Sequence, residues 1–490
     1  MRKTVIRGGV RKTATWSGVS KTVIWSGGVL VVLLITAYFI ADVLVRKKVD
    51  EALQALPPSL HVTYHSLHSH LFNSSLEIGG VDIRFSRDKH VYEATIGQVA
   101  AEGIHFFELM RTHRLRLRSL RLDGIEASGE EMRLSLAGSA EFDSVYASDK
   151  GEKGFGAMRL SLRKLRCQLP ATREMLHLSN MVLDSRKRVF SLDTLRVMPS
   201  VDKSEIGRER GYQVDVVEAT SEGIEMQGLD VMGLPEHRVV ADRLTVRRNH
   251  LYVFRDRRLP LEPGIKSLPM ESLMELPVSL RIGTVDIGTT DFTYEEFPKD
   301  GEKSGTLSIY RMKARLHPLI NRPEAGDPAY IALTTEGSLM NSGIVTATTK
   351  MPLHKHEPYL VEGAFHDLDV TRLNNPAEHL GQLHLESGML NSLAFWFEMG
   401  DEKATGKIVG EYHDLVVDKL KANGKVAKLK SFALKKLIIP RNKDKSLPEK
   451  KRTGKVDYRR DPQRYFSYYL LHALLVGVKS SFSLGFLLPG

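Results

Sequence analysis

Four histidines lie close together near the start of the body of the chain, at His61, His65, His68 and His70. On a β-strand, His68 and His70 would share one face, and imidazole nitrogens are common zinc ligands. No carboxylate or cysteine lies close by in the sequence to complete a ligand set. We therefore predict ordinary strand residues here, with no bound metal and no cofactor.

Other residues with possible chemistry are equally isolated. The Asp-Leu-Asp at Asp367–Asp369 has the spacing of many glycosyltransferase metal motifs, but Val370 and Leu373 beside it fit a strand that enters a turn. The glycines of GEKGFG (151–156) are more typical of a loop than of a phosphate cradle. The sequence contains no GxSxG, P-loop, HExxH or kinase motif. We therefore predict that the chain is not an enzyme.

Cysteine and charge limit the class of protein further. Cys167 is the single cysteine, so an intramolecular disulfide and a CxxC zinc site are both excluded. The formal net charge is +11, and residues 425–464 alone hold fifteen Lys/Arg against four Asp/Glu. Such a run could bind nucleic acid or an anionic membrane. It lacks the aromatic and helical motifs of nucleic-acid readers, so we predict no nucleic-acid partner.

An uncharged segment precedes the body of the chain. Thr22 to Ala41 contains twenty residues without a charge, which as a helix match the ~30 Å hydrocarbon core of a bilayer. A cleaved signal peptide is the alternative, but no small-residue cleavage site follows the run. We predict a basic cytoplasmic tail (1–21) and a transmembrane anchor (22–45), because six Lys/Arg and no acid precede the span. In a bacterium the remaining chain would then be periplasmic, on a single span of the inner membrane.

A pattern of alternating apolar residues recurs through the body. Its form is apolar, any, apolar, two residues, apolar, any, apolar, in the five copies LRLRSLRL (115–122), LSLRKLRC (160–167), FSLDTLRV (190–197), VVADRLTV (239–246) and LRIGTVDI (280–287). Alternation predicts strands with one apolar face, and the extra residue predicts a β-bulge or short turn in mid-pattern. The alternatives are a closed sandwich core and a curved sheet with an open apolar groove. The scarcity of helical segments that could cover the face favours the groove.

The second half of the chain resembles a known family. The segments are VSLRIGTVDIGTTDFTYEEF (278–297), EGSLM (336–340), YLVEGAFHDLDVTRLN (359–374), SGMLNSLAFWFEM (387–399), GKIVGEYHDLVV (406–417) and RRDPQRYFSYYLLHALLVGVKSSF (459–482). In this order they resemble the C-terminal region of AsmA-like inner-membrane proteins of the type found in Bacteroidetes, over roughly residues 236–485. An N-terminal anchor followed by Pro57-Pro58 fits the same family.

This resemblance implies a periplasmic bridge-type lipid carrier. The expected fold is mainly β: an N-terminal transmembrane helix, then an elongated, curved, largely antiparallel repeat β-sheet with an apolar groove, then a short C-terminal amphipathic helix. The expected domains are residues 46–235 (N-terminal periplasmic β-repeat region), 236–424 (AsmA-like β region), 425–464 (basic segment) and 465–490 (C-terminal helix). The predicted lipid groove consists of Leu115, Leu117, Leu120, Leu122, Leu160, Leu162, Leu165, Phe190, Leu192, Leu195, Val197, Leu244, Val246, Leu280, Ile282, Val285 and Ile287.

The apolar C-terminal segment has two interpretations. Tyr465 to Val478 contains fourteen uncharged residues, which is too short to cross a bilayer. It could lie in a membrane interface together with the basic run, or it could plug the end of the sheet. The first interpretation predicts a membrane-surface contact through Lys450, Lys451, Arg452, Arg459, Arg460, Arg464 and Lys479.

The expected function is passive carriage of phospholipid acyl chains for envelope homeostasis. The alternative is a structural or assembly factor that affects outer-membrane protein insertion without carrying lipid. The expected partners are phospholipid, the inner membrane, and the outer membrane or an envelope protein.

Overall fold

The structure, a computed structural model, describes residues 56–420 and 452–482, with short gaps at residues 71–73, 88–89, 106–110, 113, 130–133, 149–151 and 170–171. The predicted tail and anchor (1–45) lie outside the described residues. So do residues 425–451 of the predicted basic segment. Within the described part of the chain, no helix is both long enough and apolar enough to cross a bilayer.

The chain is mainly β, as predicted, with 65% of it in strands. The strands are β1 (Leu60–His70), β2 (Ser75–Arg87), β3 (His90–Glu102), β4 (Arg114–Gly129), β5 (Leu134–Ser148), β6 (Lys153–Gly154), β7 (Ala157–Leu169), β8 (Glu174–Asp184), β9 (Val189–Pro199), β10 (Asp215–Gln227), β11 (Arg238–Asp256), β12 (Ser279–Phe297), β13 (Gly305–His317), β14 (Leu319–Ile320), β15 (Tyr330–Leu339), β16 (Gly343–Pro352), β17 (Tyr359–Asp369), β18 (Leu383–Met399), β19 (Lys403–Lys419) and β20 (Arg452–Arg459).

Helices are short and lie between or after strands. They are α1 (Lys203–Arg210), α2 (Pro269–Met274), α3 (Asn374–Gly381) and α4 (Phe466–Phe482), with 3-10 turns at Val231–Glu236 and Val370–Leu373. Helix α1 begins at Asp202, whose side chain accepts a hydrogen bond from the Ser204 amide, and it ends at Gly211 in the left-handed conformation. The predicted C-terminal helix (465–490) corresponds to α4.

Strands that follow one another in sequence mostly pair antiparallel, which confirms the predicted largely antiparallel sheet. The exception is β11 and β12, which pair in parallel from Arg238↔Ser279 to Asp256↔Phe297. A parallel pair needs a crossover, and residues 257–278 supply it with α2.

The chain divides into two compact units. Unit 1 contains the described residues of 1–128 and 139–158, and unit 2 contains those of 129–138 and 159–490. Because β10 pairs with β11 throughout their length, the predicted domain boundary at residues 235 and 236 falls inside unit 2. The predicted basic segment (425–464) includes β20, which pairs with β19.

The irregularity predicted in mid-pattern is present, but it inserts no extra residue into one strand. Strands β7 and β8 pair Leu162 with Met181 and Lys164 with Ser179, so only one pair is missing and the register stays the same on both sides. Asn180, at the missing pair, has φ 53°, a left-handed backbone that turns the rest of the strand over. A pair is missing in the same way between β9 and β10, at Gly223 (φ 64°). The strands therefore kink together, and the apolar side chains return to the same face.

Candidate functional site: an apolar sheet face and a polar groove

The first copy of the repeat lies in the core of unit 1. Leu115, Leu117, Leu120 and Leu122 on β4 are between 0% and 3% exposed. Neighbouring strands contribute further core residues, among them Leu76 and Val99. The four leucines alternate with exposed residues of β4, so the alternation forms one buried face as expected. These side chains are not accessible to a ligand in this conformation.

In unit 2 the later copies are brought together in register on one face of the sheet. One row runs from Leu162 through Met181 to Leu192, and the next from Leu165 through Leu178 to Leu195. The rows continue onto β10, β11 and β12, where Ile224, Val246 and Ile287 are cross-strand neighbours. The predicted residues united here are Leu160, Leu162, Leu165, Phe190, Leu192, Leu195, Val197, Leu244, Val246, Leu280, Ile282, Val285 and Ile287. We call this surface the apolar face.

Burial differs along the apolar face. Leu192, Ile282 and Val285 are at most 5% exposed. The other apolar-face leucines of β7 and β9, such as Leu162 and Leu195, are only half-buried. An aliphatic side chain gains most from leaving water completely, so a half-buried row leaves hydrophobic free energy unrealised.

Helices close the apolar face at its C-terminal end. Tyr469 and Ala473 of α4 are 1% and 0% exposed and belong to the same buried cluster as Ile408 and Val456 on β19 and β20. Met270 of α2 joins this cluster, and its amide donates a hydrogen bond of 2.9 Å to the Tyr359 hydroxyl. Helix α3 packs against β13 and β18. The main packing contacts of the described helices are therefore with β10 and β11 for α1, through Ile206, and with β13 and β17–β20 for α2–α4, and β7–β9 are not among these strands.

A line of polar side chains crosses the apolar face on β10–β12. The Ser221 hydroxyl donates to Asn249 Oδ1 at 2.8 Å, and Asn249 Nδ2 donates to Thr290 Oγ1 at 3.1 Å. Apolar rows flank this line on both sides, Ile224 with Val246 on one and Ala219 with Leu251 on the other. The mutual hydrogen bonds satisfy part of each group's capacity, which lowers the cost of placing them on an apolar surface.

Charged residues border the apolar face where β10–β12 end. Arg255 makes two hydrogen bonds to Asp215, of 2.7 and 2.6 Å, and its guanidinium lies 5.1 Å from the Tyr465 ring. Arg257 donates to Glu296 at 2.9 Å, and the Tyr294 hydroxyl donates to the same carboxylate at 2.7 Å. Burial, with the Glu296 charge, raises the pKa of Tyr294, so this hydroxyl stays protonated.

The residues predicted to contact a membrane surface have separate environments. Lys450 and Lys451 lie outside the described residues, and Arg459 is exposed. Arg452 lies 5.5 Å from the Tyr412 ring, and Lys479 is half-buried on α4. Arg460 donates to the carbonyls of Lys266 and Asp401, and Arg464 lies 3.8 Å from Asp461 and 4.9 Å from the Tyr468 ring. Arg460 and Arg464 are therefore held in contacts within unit 2.

The residues considered for metal chemistry are also accounted for. His65 lies 3.6 Å from Asp82, and among the described residues no group of three His, Cys, Asp or Glu side chains could hold a metal ion. Asp369 accepts hydrogen bonds from the amide and the hydroxyl of Thr371. It thereby caps the start of the 3-10 turn at Val370–Leu373. The Asp-Leu-Asp sequence therefore has a structural role at the end of β17.

A second surface, on the opposite face, was not predicted from the sequence. A shallow cavity of about 1190 Å³ crosses β9–β13 and β15–β18, lined on β18 by Ala394 and Trp396 but not by Phe395 between them. Phe395 is buried in the core and Trp396 is 41% exposed, so on β18 the cavity lies on the face away from the core. On β9–β12 its lining also includes Leu192, Ile224, Val246 and Ile287 of the apolar face, each with polar neighbours in sequence. We call it the polar groove. The alternation in AFWFEM could have revealed it, because inward Phe395 and Phe397 leave Trp396 pointing outward.

Comparison with known proteins adds no identity. No family model matches the chain, no curated protein matches it, and no solved structure matches it. Membership of the AsmA-like family therefore stays a prediction from the sequence.

Proposed function

We propose that the chain is an inner-membrane-anchored periplasmic protein that carries phospholipid acyl chains along the apolar face of unit 2. The observation that carries the proposal is the half-buried apolar surface of β7–β9, which is in register over three strands and lies away from the main packing contacts of the described helices. Each methylene group that leaves water for such a surface contributes ~0.8 kcal/mol. Headgroups would remain in water.

The proposal is confined to one part of the predicted groove. Leu115, Leu117, Leu120 and Leu122 are core residues, and the strands around β17–β20 are filled by α2, α3 and α4. The half-buried candidates are Leu160, Leu162, Leu165, Phe190, Leu195, Val197, Leu244, Val246, Leu280 and Ile287, and Leu162, Leu165 and Leu195 among them are the crosslinking positions. Transport would be passive, because no nucleotide-binding motif is present in the sequence.

Photo-crosslinking in living cells tests the proposal with adjacent positions as controls. A photoreactive residue at Leu165 or Leu195 is expected to capture phospholipid, because both lie half-buried on the apolar face. The matched controls Arg166 and Arg196 are the next residues on the same strands, exposed on the opposite face, and are expected to capture little.

Equal labelling at all four positions, or none at any, would contradict lipid carriage. That result would favour the alternative, a structural or assembly factor that affects outer-membrane protein insertion. The closed core around α4 is equally compatible with that alternative. A double Leu165→Asp/Leu195→Asp variant is expected to lose lipid labelling from a crosslinker at Leu162 while keeping its cellular abundance.

A further inference from the structure

We propose that the polar groove around Trp396 is a binding site for a neutral glycan chain. Trp396 is the one tryptophan among the described residues, and it lies on the charged and hydroxyl-bearing face of the sheet rather than in the core. With 41% of Trp396 exposed, part of its aromatic ring remains in water even though Lys407 of the neighbouring strand lies over it. A ligand with an apolar face and polar edges would match it.

The side chains around the ring have hydrogen-bonding groups on several sides. Trp396 pairs across the sheet with Glu362 on β17 and with Lys407 on β19, and Glu398 is two residues further along β18. The Lys407 ammonium lies 5.2 Å from the centre of the ring. Carboxylate oxygens accept and an ammonium donates, so hydroxyl groups of either polarity find a partner here.

Space is available on both sides of the indole. The polar groove continues from Trp396 over the small residues Ala394, Gly363 and Ala364. A second depression of about 500 Å³ lies on the other side and is lined by Lys350, Glu398 and Thr405. Trp396, Glu362 and Thr348 line both cavities. The indole therefore stands as a wall between two depressions, where consecutive rings of an extended ligand could lie.

A pyranose ring has the complementary chemistry. Its C–H groups form an apolar face that packs on an indole, and its equatorial hydroxyls point outward to side-chain acceptors and donors. Glu362 and Glu398 disfavour a nucleic acid or another polyanion directly against the ring, because like charges would be brought together there, whereas Arg247, Lys313 and Arg315 line other parts of the polar groove. A hydrocarbon chain would desolvate both carboxylates without pairing them. A neutral glycan avoids both penalties.

This site is independent of lipid carriage. Trp396 faces away from the core that contains Phe395, whereas the lipid proposal rests on Leu162, Leu165 and Leu195. Failure of either proposal leaves the other standing.

Intrinsic fluorescence of the full-length chain provides the test. The sequence has three tryptophans, so the double variant Trp16→Phe/Trp25→Phe leaves Trp396 as the single reporter. The protein is purified without sugar-based detergents, since these would compete for the site. Titration with hexamers of N-acetylglucosamine and of glucose is expected to give a saturable blue shift with at least one of them, because stacking removes water from the ring.

Two variants and one control distinguish a site from general stickiness. By calorimetry on the native tryptophan background, Trp396→Ala is expected to abolish binding and Glu362→Gln/Glu398→Gln to weaken it at least tenfold. Ile344→Ala is the control, since Ile344 is 48% exposed on the same polar face but lines neither cavity. Thermal unfolding verifies that each variant is folded.

The proposal is overturned if neither hexamer gives a saturable signal at millimolar concentration. It is also overturned if folded Trp396→Ala binds as tightly as the wild type, or if Ile344→Ala weakens binding as much as Trp396→Ala does.

Discussion

His472 is a half-buried titratable residue of α4 whose pKa departs strongly from its ordinary value. Its ring lies 5.8 Å from that of Tyr458 and 3.8 Å from that of Tyr468. Burial, together with the charges of Arg257, Lys479 and Arg464, lowers the pKa of His472 to about 4, against an opposing effect of Glu296. The imidazole is therefore neutral in the folded protein at pH 7.

We expect His472 to make the fold sensitive to acid. Because its pKa in the folded state lies below the unfolded value of about 6.5, its contribution to stability is complete above pH 6.5 and is lost as the pH falls towards 4. The unfolding free energy, measured by denaturant titration between pH 7 and pH 4.5, should fall more steeply in the wild type than in His472→Gln. Parallel slopes in the two proteins would show that His472 already carries its proton, or is solvated, in the folded state.

Single residues also show where sequence reasoning ends. Leu117 and Leu162 occupy the same position in two copies of the repeat, and their facing was predictable from alternation. Leu117 is 3% exposed and Leu162 is half-buried, and nothing in the two octapeptides distinguishes them. What covers a face depends on elements distant in sequence, which a local pattern does not encode.

At the scale of elements, the contact of α4 with the sheet depends on a close approach of two backbones. A Cβ added at Gly454 on β20 would lie 2.0 Å from the Gly477 carbonyl oxygen and 2.8 Å from the Ser481 amide nitrogen. Both atoms belong to the backbone of α4, so the helix itself would have to move.

Gly454→Val should therefore loosen α4. We expect a loss of about 1–3 kcal/mol in the free energy of unfolding, the usual cost of overpacking, with faster proteolysis within residues 465–482. Gly381→Ala is the control, because no atom lies within 4 Å of the added methyl group. If Gly454→Val and Gly381→Ala were equally stable and equally protected, α4 would not be packed on β20 in solution.

The same elements were only partly predictable. The spacing of the repeat predicted a β-bulge or a short turn in mid-pattern, whereas the described strands keep their register and have left-handed backbones at Asn180 and Gly223. The uncharged run from Tyr465 was compatible with a membrane interface and with a plug. Periodicity describes the apolar surface of a helix but not its partner, and here Tyr469 and Ala473 face β19 and β20.

At the scale of the whole molecule, the composition and alternation predicted a mainly β, largely antiparallel chain, but not the parallel pairing of β11 with β12. Strands β11 and β12 carry the same octapeptide pattern as the others, from Val239 and from Leu280. Strand direction follows from the connection rather than from alternation, and residues 257–278 cross over and contribute Leu268 and Met270 to the core. The proline and glycine residues of that segment favour a loop when only the sequence is considered.

The proposed lipid carriage requires that the body of the chain lie outside the cytoplasm, where phospholipid would pass between two membranes. The expected orientation follows from the six Lys/Arg that precede Thr22.

The loop at Gly301, between β12 and β13 and beside exposed Asp300, accepts an inserted reporter without interrupting a strand. Alkaline phosphatase inserted after Gly301 should be active in cells, because it folds only where its disulfides form. A green fluorescent protein exported through the same membrane in unfolded form should stay dark there. An inactive phosphatase with a fluorescent partner fusion would place the sheet in the cytoplasm, and the lipid proposal would then lose the compartment it requires.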